Sequence, residues 1–117
     1  MLEFDHIALT VIDLEDSISF YKFMGYKVEK VFEEEDYRWA SLSLGDTSLE
    51  LFQIKNKKCP KIYHIAYNFT DEKEAISIAK SLGYEKEDLD IFYGDLNRES
   101  FFLEDKDNIS IQLIRKK

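Results

Sequence analysis

The tripeptide His6-Ile7-Ala8 returns as His64-Ile65-Ala66, and the offset of 58 holds further along the chain. It also relates Asp13 to Asp71, Ile18 to Ile76, Ser19 to Ser77 and Gly25-Tyr26 to Gly83-Tyr84. A strand, a helix start and a helix stop that match at one offset, near half of 117 residues, mean two copies of one supersecondary unit. Any fold proposed for this chain must therefore pair two similar halves, and each residue is read beside its counterpart.

Within the first half, Leu2 to Val11 alternates and reads as a strand. Phe4, His6, Ala8 and Thr10 share one face, and Ile7, Leu9 and Val11 share the other. Asp13 offers an N-cap, with Asp16 in the first turn. Ile18 and Tyr21, with Phe20, Phe23 and Met24, give the apolar stripe of a helix of about ten residues that stops at Gly25. Strands are expected over Tyr26–Glu34, Tyr37–Leu44 and Ser48–Ile54, the last two joined by the turn Gly45-Asp46-Thr47. The acidic run Glu33 to Asp36 reads as a solvated edge.

Lys55–Lys61 is a connector and holds Pro60, the only proline. The second half repeats the plan. A strand over Ile62–Phe69 precedes a helix opened by an Asp71–Glu74 capping box and closed by Gly83. Strands over Tyr84–Tyr93, Glu99–Glu104 and Ile109–Ile114 follow. The expected class is α+β: one domain of two βαβββ modules, residues 1–54 and 62–117, joined by residues 55–61.

The same pleating sets out a constellation. His6 and His64 lie on the strand face turned away from the helices. Glu50 between Leu49 and Leu51, and Gln112 between Ile111 and Leu113, take the equivalent late positions of each copy. Two imidazoles, a carboxylate and a fourth oxygen donor suit a divalent transition metal with coordination positions left for substrate. These are the only two histidines of the chain, and they occupy equivalent places.

Composition narrows the partners. A net charge of −8 disfavours nucleic acid, whose phosphates need a basic surface. No apolar run is long enough to span a bilayer. With one cysteine, Cys59, an internal disulfide is excluded, and a soluble cytoplasmic protein is expected. Cys59 sits beside Pro60 in the connector and reads as a linker thiol.

Asp5-His6-Ile7-Ala8, Ser19-Phe20-Tyr21-Lys22 before Gly25-Tyr26, Glu50, His64-Ile65-Ala66, and Phe102-Leu103-Glu104-Asp105-Lys106-Asp107-Asn108 before Ile111-Gln112-Leu113 form a recognisable series. Over nearly its whole length the chain resembles the vicinal oxygen chelate superfamily, which includes glyoxalase I, methylmalonyl-CoA epimerase, extradiol dioxygenases, and fosfomycin and bleomycin resistance proteins.

The resemblance implies curved mixed sheets around a metal cavity. Its metal positions fall on His6, Glu50, His64 and Gln112, and Glu50 and Gln112 take the catalytic positions. The implied cofactor is a divalent ion: nickel, cobalt, zinc, iron or manganese. The implied activity is a glyoxalase I-like carbon–sulfur lyase or isomerase of the lactoylglutathione lyase type, acting on a small oxygen-chelating substrate such as a 2-oxoaldehyde hemithioacetal. Bleomycin-resistance-like binding without chemistry, epimerisation and fosfomycin thiol transfer are the alternatives. The implied assembly is a homodimer, with metal sites within one chain or shared between two.

Two residues depart from the glyoxalase pattern: Lys106 where proline is usual, and Gln112 where glutamate is usual. The amide of Gln112 cannot take a proton at neutral pH, so Glu50 inherits that role. Two histidines, a glutamate and a glutamine also resemble the epimerase set with the modules exchanged. Tyr37, Trp39, Phe52, Tyr93 and Phe102 are candidates for an aromatic wall, and Arg38 and Arg98 for holding an anionic substrate.

Overall fold

Alternating sequence makes the strands, and asparagine, aspartate and glycine make the breaks between them. A computed structural model describes residues 1–57 and 59–117. The elements in chain order are β1 (Glu3–Thr10), α1 (Leu14–Phe23), β2 (Lys27–Glu33), β3 (Tyr37–Leu44), β4 (Thr47–Ile54), β5 (Lys61–Phe69), α2 (Glu72–Ser81), β6 (Ser100–Glu104) and β7 (Ser110–Arg115). Contacts group them into two compact units, His6–His64 and Met1–Asp5 with Ile65–Lys117.

In the unit His6–His64, β1 runs parallel to β4, with His6 opposite Ser48 and Ala8 opposite Glu50. Strand β4 pairs antiparallel with β3, which pairs antiparallel with β2. Leu49 and Leu51 point to the opposite face from Glu50. There they pack with Leu14, Ala40 and Leu42, against Leu9, Val11, Ile18, Tyr21, Tyr26 and Val28. A side chain as fully buried as Leu51 stabilises the fold by about 1.5–3 kcal/mol. Burying one face in this way leaves the other for chemistry.

Asp13 caps α1 by accepting from the Asp16 N–H at 3.0 Å. Gly25, at φ 108, ends the helix in a conformation that side chains disfavour. We expect Asp13→Ala to cost about 1 kcal/mol, seen as a lower urea midpoint at unchanged slope. An unchanged midpoint would show that the cap contributes nothing. The apolar stripe differs from expectation. Leu14, Ile18 and Tyr21 face the core, whereas Phe20, Phe23 and Met24 are 61%, 94% and 58% exposed. Only three to four residues per two turns can face the sheet, and buried Leu14 fixes which ones.

In the other unit, β5 runs parallel to β7 with Ala66 opposite Gln112. Strand β6 pairs antiparallel with β7, with Phe102 opposite Gln112. Phe69, Ala75, Ala79, Leu89, Phe101, Leu103 and Leu113 form its core under α2. Asp71 caps α2 through the Lys73 N–H at 2.9 Å. The Asp71–Glu74 capping box is not made, because Glu74 instead pairs with the Met1 ammonium at 2.7 Å.

The strand expected over Tyr84–Tyr93 is absent from the described residues. A single 3-10 turn, Lys86–Asp88, and one bridge between Phe92 and Ser100 replace it. The acidic insertion explains this. It lacks alternating apolar residues, and the Asp88 carboxylate accepts from the Glu85 N–H at 3.2 Å to close a local turn. The second module is therefore βαββ plus a bridge. The α+β class and the tandem modules hold.

Candidate metal centre

Three residues far apart in sequence meet in the unit His6–His64. The His6 and His64 Nε2 atoms are 2.9 Å apart. The Glu50 Oε1 atom lies 3.1 Å from His6 Nε2 and 3.6 Å from His64 Nε2. All three residues are buried, at 1%, 6% and 5% exposure. The strand pattern explains how they arrive. Thr10 at the far end of β1 accepts from the Lys61 N–H at 3.1 Å and donates to the Cys59 carbonyl, fixing the connector that leads into His64.

The donor set fits a divalent cation. Metal bonds of about 2.0–2.2 Å at roughly 90–110° place ligand atoms about 2.8–3.6 Å apart. The three observed separations match the edges of such a polyhedron. His6, Glu50 and His64 can therefore hold a metal ion. Burial alone would raise the Glu50 carboxyl, but hydrogen bonds and charge from His6 and His64 outweigh it and hold the group below the usual carboxylate range. Glu50 is thus an anion at neutral pH, the form that binds a metal or takes a proton. One chain suffices to bring these three together.

Gln112 lies in the other compact unit. It is 7% exposed, and its Nε2 donates to Ser100 Oγ at 3.0 Å. Its Oε1 is buried without a hydrogen-bond partner among the described residues. An orphaned acceptor of this kind costs about 1–3 kcal/mol unless a bound group satisfies it. Ser100 carried no signal in isolation. Only the register, which sets Phe102 opposite Gln112, places Ser100 on the same face.

On the face that carries Glu50, Phe32, Trp39 and Phe52 stack in a row. Centroid spacings are 4.4 Å and 5.0 Å, and ring planes lie 13° and 6° from parallel. Phe52 also meets the His64 ring at 6.1 Å and Tyr63 at 5.0 Å. Of the candidate aromatics, Trp39 and Phe52 stack on each other, with Trp39 buried and Tyr37 6.2 Å from Phe52. Phe32 and Tyr63 were not foreseen. Phe102 instead stacks on Phe92 at 5.6 Å, and Tyr93 is 57% exposed.

Both arginines are engaged by groups of the protein itself. Arg38 grips Glu15 and Glu33 at 2.6 Å and 2.7 Å. Arg98 donates to the Arg115 carbonyl, Asn68 and Asp5 at 2.8, 2.9 and 3.3 Å.

A family profile described as "Glyoxalase/Bleomycin resistance protein/Dioxygenase superfamily" matches residues 5–102. The chain belongs to this superfamily. Among solved structures, it is similar to a hypothetical protein from Bacillus halodurans C-125, at 19% identity over 99% of this chain and 95% of that one, with TM-score 0.79. Methylmalonyl-CoA epimerase from Mycobacterium tuberculosis matches at 20% identity over 98% and 88%, with TM-score 0.76. A methylmalonyl-CoA epimerase in complex with methylmalonyl-CoA and NH4+ matches at 20% identity over 99% and 95%, with TM-score 0.79. No curated protein matches. No helix among the described residues is long and apolar enough to cross a membrane.

The lactoylglutathione lyase expectation is corrected at this point. The solved structures that share the fold over nearly its full length include methylmalonyl-CoA epimerases, which favours the epimerase alternative. The physical reason lies in the last strand. A glyoxalase-type lyase puts a basic carboxylate there, and this chain has an amide whose nitrogen is spent on Ser100.

Proposed function

We propose that the chain is a metal-dependent epimerase of the methylmalonyl-CoA type, moving the proton on a carbon flanked by two carbonyl groups. The observation that carries this reading is the buried convergence of His6, Glu50 and His64, with Glu50 ionised at its centre. His6, Glu50 and His64 would hold the ion. A divalent ion, when bound, withdraws charge from the substrate oxygens and so acidifies the neighbouring C–H.

The chain's own residues do the rest. Burial keeps bulk water from the charged atoms, which strengthens every polar contact to the substrate. Glu50 is the one carboxylate in the cluster and is deprotonated at rest, so it is the group that takes or returns the proton. The Phe32–Trp39–Phe52 row supplies a rigid apolar border on the same face.

The test is to load the protein with Co2+ and incubate it with one epimer of methylmalonyl-CoA in heavy water. Exchange of the α-proton for deuterium, with appearance of the other epimer, is the expected result. Metal-loaded protein that leaves both the proton and the configuration untouched refutes the reading.

A further inference from the structure

We infer that the outward face of α1 is the contact surface of a weak dimer of this chain, in which the α1 helices of two copies pack antiparallel about Phe20 and Phe23. The helix covers the sheet face opposite Glu50, so this surface is independent of the metal cluster and of the reaction assigned to it. Phe20, Phe23 and Met24 stand at i, i+3 and i+4 and share one side of the helix. That side points away from the core held by Leu14, Ile18 and Tyr21. The fold does not require apolar groups there, and the repeat supplies the comparison. Phe23 corresponds to Ser81 at the end of α2. One copy of the unit thus folds with a hydroxyl where the other holds a phenylalanine that is 94% exposed.

The charges around the patch fit a second copy of the chain. Asp13 and Asp16 make the N-terminal end of α1 acidic, and Lys22 and Lys27 lie at and just beyond its C-terminal end. In a twofold contact, each residue that meets another is met by it in return. With Phe20 of each helix against Phe23 of the other, an antiparallel run brings Asp16 of each copy toward Lys27 of the other. Both residues are exposed, and neither makes an ion pair among the described residues. The second helix lacks this complementarity, because the equivalent positions are Glu74 and Glu85, two acids.

The size of the patch sets its strength. Phe20 and Phe23 together leave roughly 250–400 Å2 in water. A standard interface buries about 800 Å2 on each partner, so the dissociation constant should be on the order of 10–100 μM.

The experiment is sedimentation equilibrium over concentrations spanning that range. It compares wild type, Phe23→Ser, Asp16→Lys, Lys27→Glu and the variant with both charge reversals, each checked for a wild-type melting transition. Phe23 is outside the core, so Phe23→Ser leaves the fold intact and should weaken association at least about tenfold. Each single reversal sets like charges together and should weaken it severalfold. The combined variant restores attraction with the signs exchanged and should regain wild-type association. Wild type that stays monomeric up to about 1 mM overturns the inference. So does a dimer that Phe23→Ser leaves unchanged, since another surface would then hold it. A combined variant that associates no better than the single reversals overturns the antiparallel arrangement.

Discussion

His6→Ala and His64→Ala should each lower divalent-metal affinity by more than about a hundredfold, the upper range for losing a residue that merely orients a ligand. Each substitution removes a donor atom from a buried cluster whose members lie 2.9–3.6 Å apart. Water can replace one donor, but it brings neither the fixed position nor the strong σ-donation of an imidazole. The two losses should be similar, because the histidines hold equivalent places in the repeat and both are buried. Calorimetry with Ni2+ or Zn2+ measures this directly. Affinities within threefold of wild type for both variants would show that the cluster is a structural hydrogen-bonded group. The melting temperature without metal supplies a second reading. A metal site rewards binding, so added ion should raise the wild-type melting temperature and leave the variants nearly unmoved.

The centre was more legible in the sequence than the elements around it. Equivalent alternating strands placed His6 and His64 on the same face, and the repeat paired Glu50 with Gln112; pleat geometry alone carries that information. Strand β3 appears at its expected bounds, because Tyr37 to Leu44 alternates cleanly between turns. Residues 84–93 failed because a tandem repeat invites copying. The acidic insertion breaks the copy with local turn bonds that compete with a strand.

Which residues of α1 face the core was likewise undecidable from a stripe containing five large apolar residues, since burial of Leu14 settles the rotation of the helix. The roles of Arg38 and Arg98 depend on partners 23 and 93 residues away in sequence, which no local pattern exposes. The substrate class was misread for a related reason. The series of motifs specifies the fold, and function resides in the few side chains grafted onto it.

Glu50→Gln should lower the rate of α-proton exchange by about 10²–10⁴, the usual cost of losing a general base. The substitution keeps the size of the side chain and one oxygen, so packing against the β3–β4 register is preserved while charge and basicity are lost. His64→Ala provides the contrast: it should weaken metal binding without deleting the proton acceptor, so saturating metal should restore part of its exchange rate. Glu50→Gln should stay slow at saturating metal. Full exchange by that variant would remove Glu50 from the reaction.

The carboxylate also leaves a signature in the metal-free protein. Its folded-state pKa lies below the ordinary 4.5, held there by His6 and His64 against the opposing effect of burial. A depressed carboxyl contributes stability that is present above its unfolded value and is lost as pH falls through the folded one. The stability difference between wild type and Glu50→Gln should therefore narrow as the pH falls below 4.5. A difference that widened as the pH fell would mean that burial dominates and that the resting carboxyl is protonated. Glu50 could then neither bind a cation nor accept a proton without first losing its own.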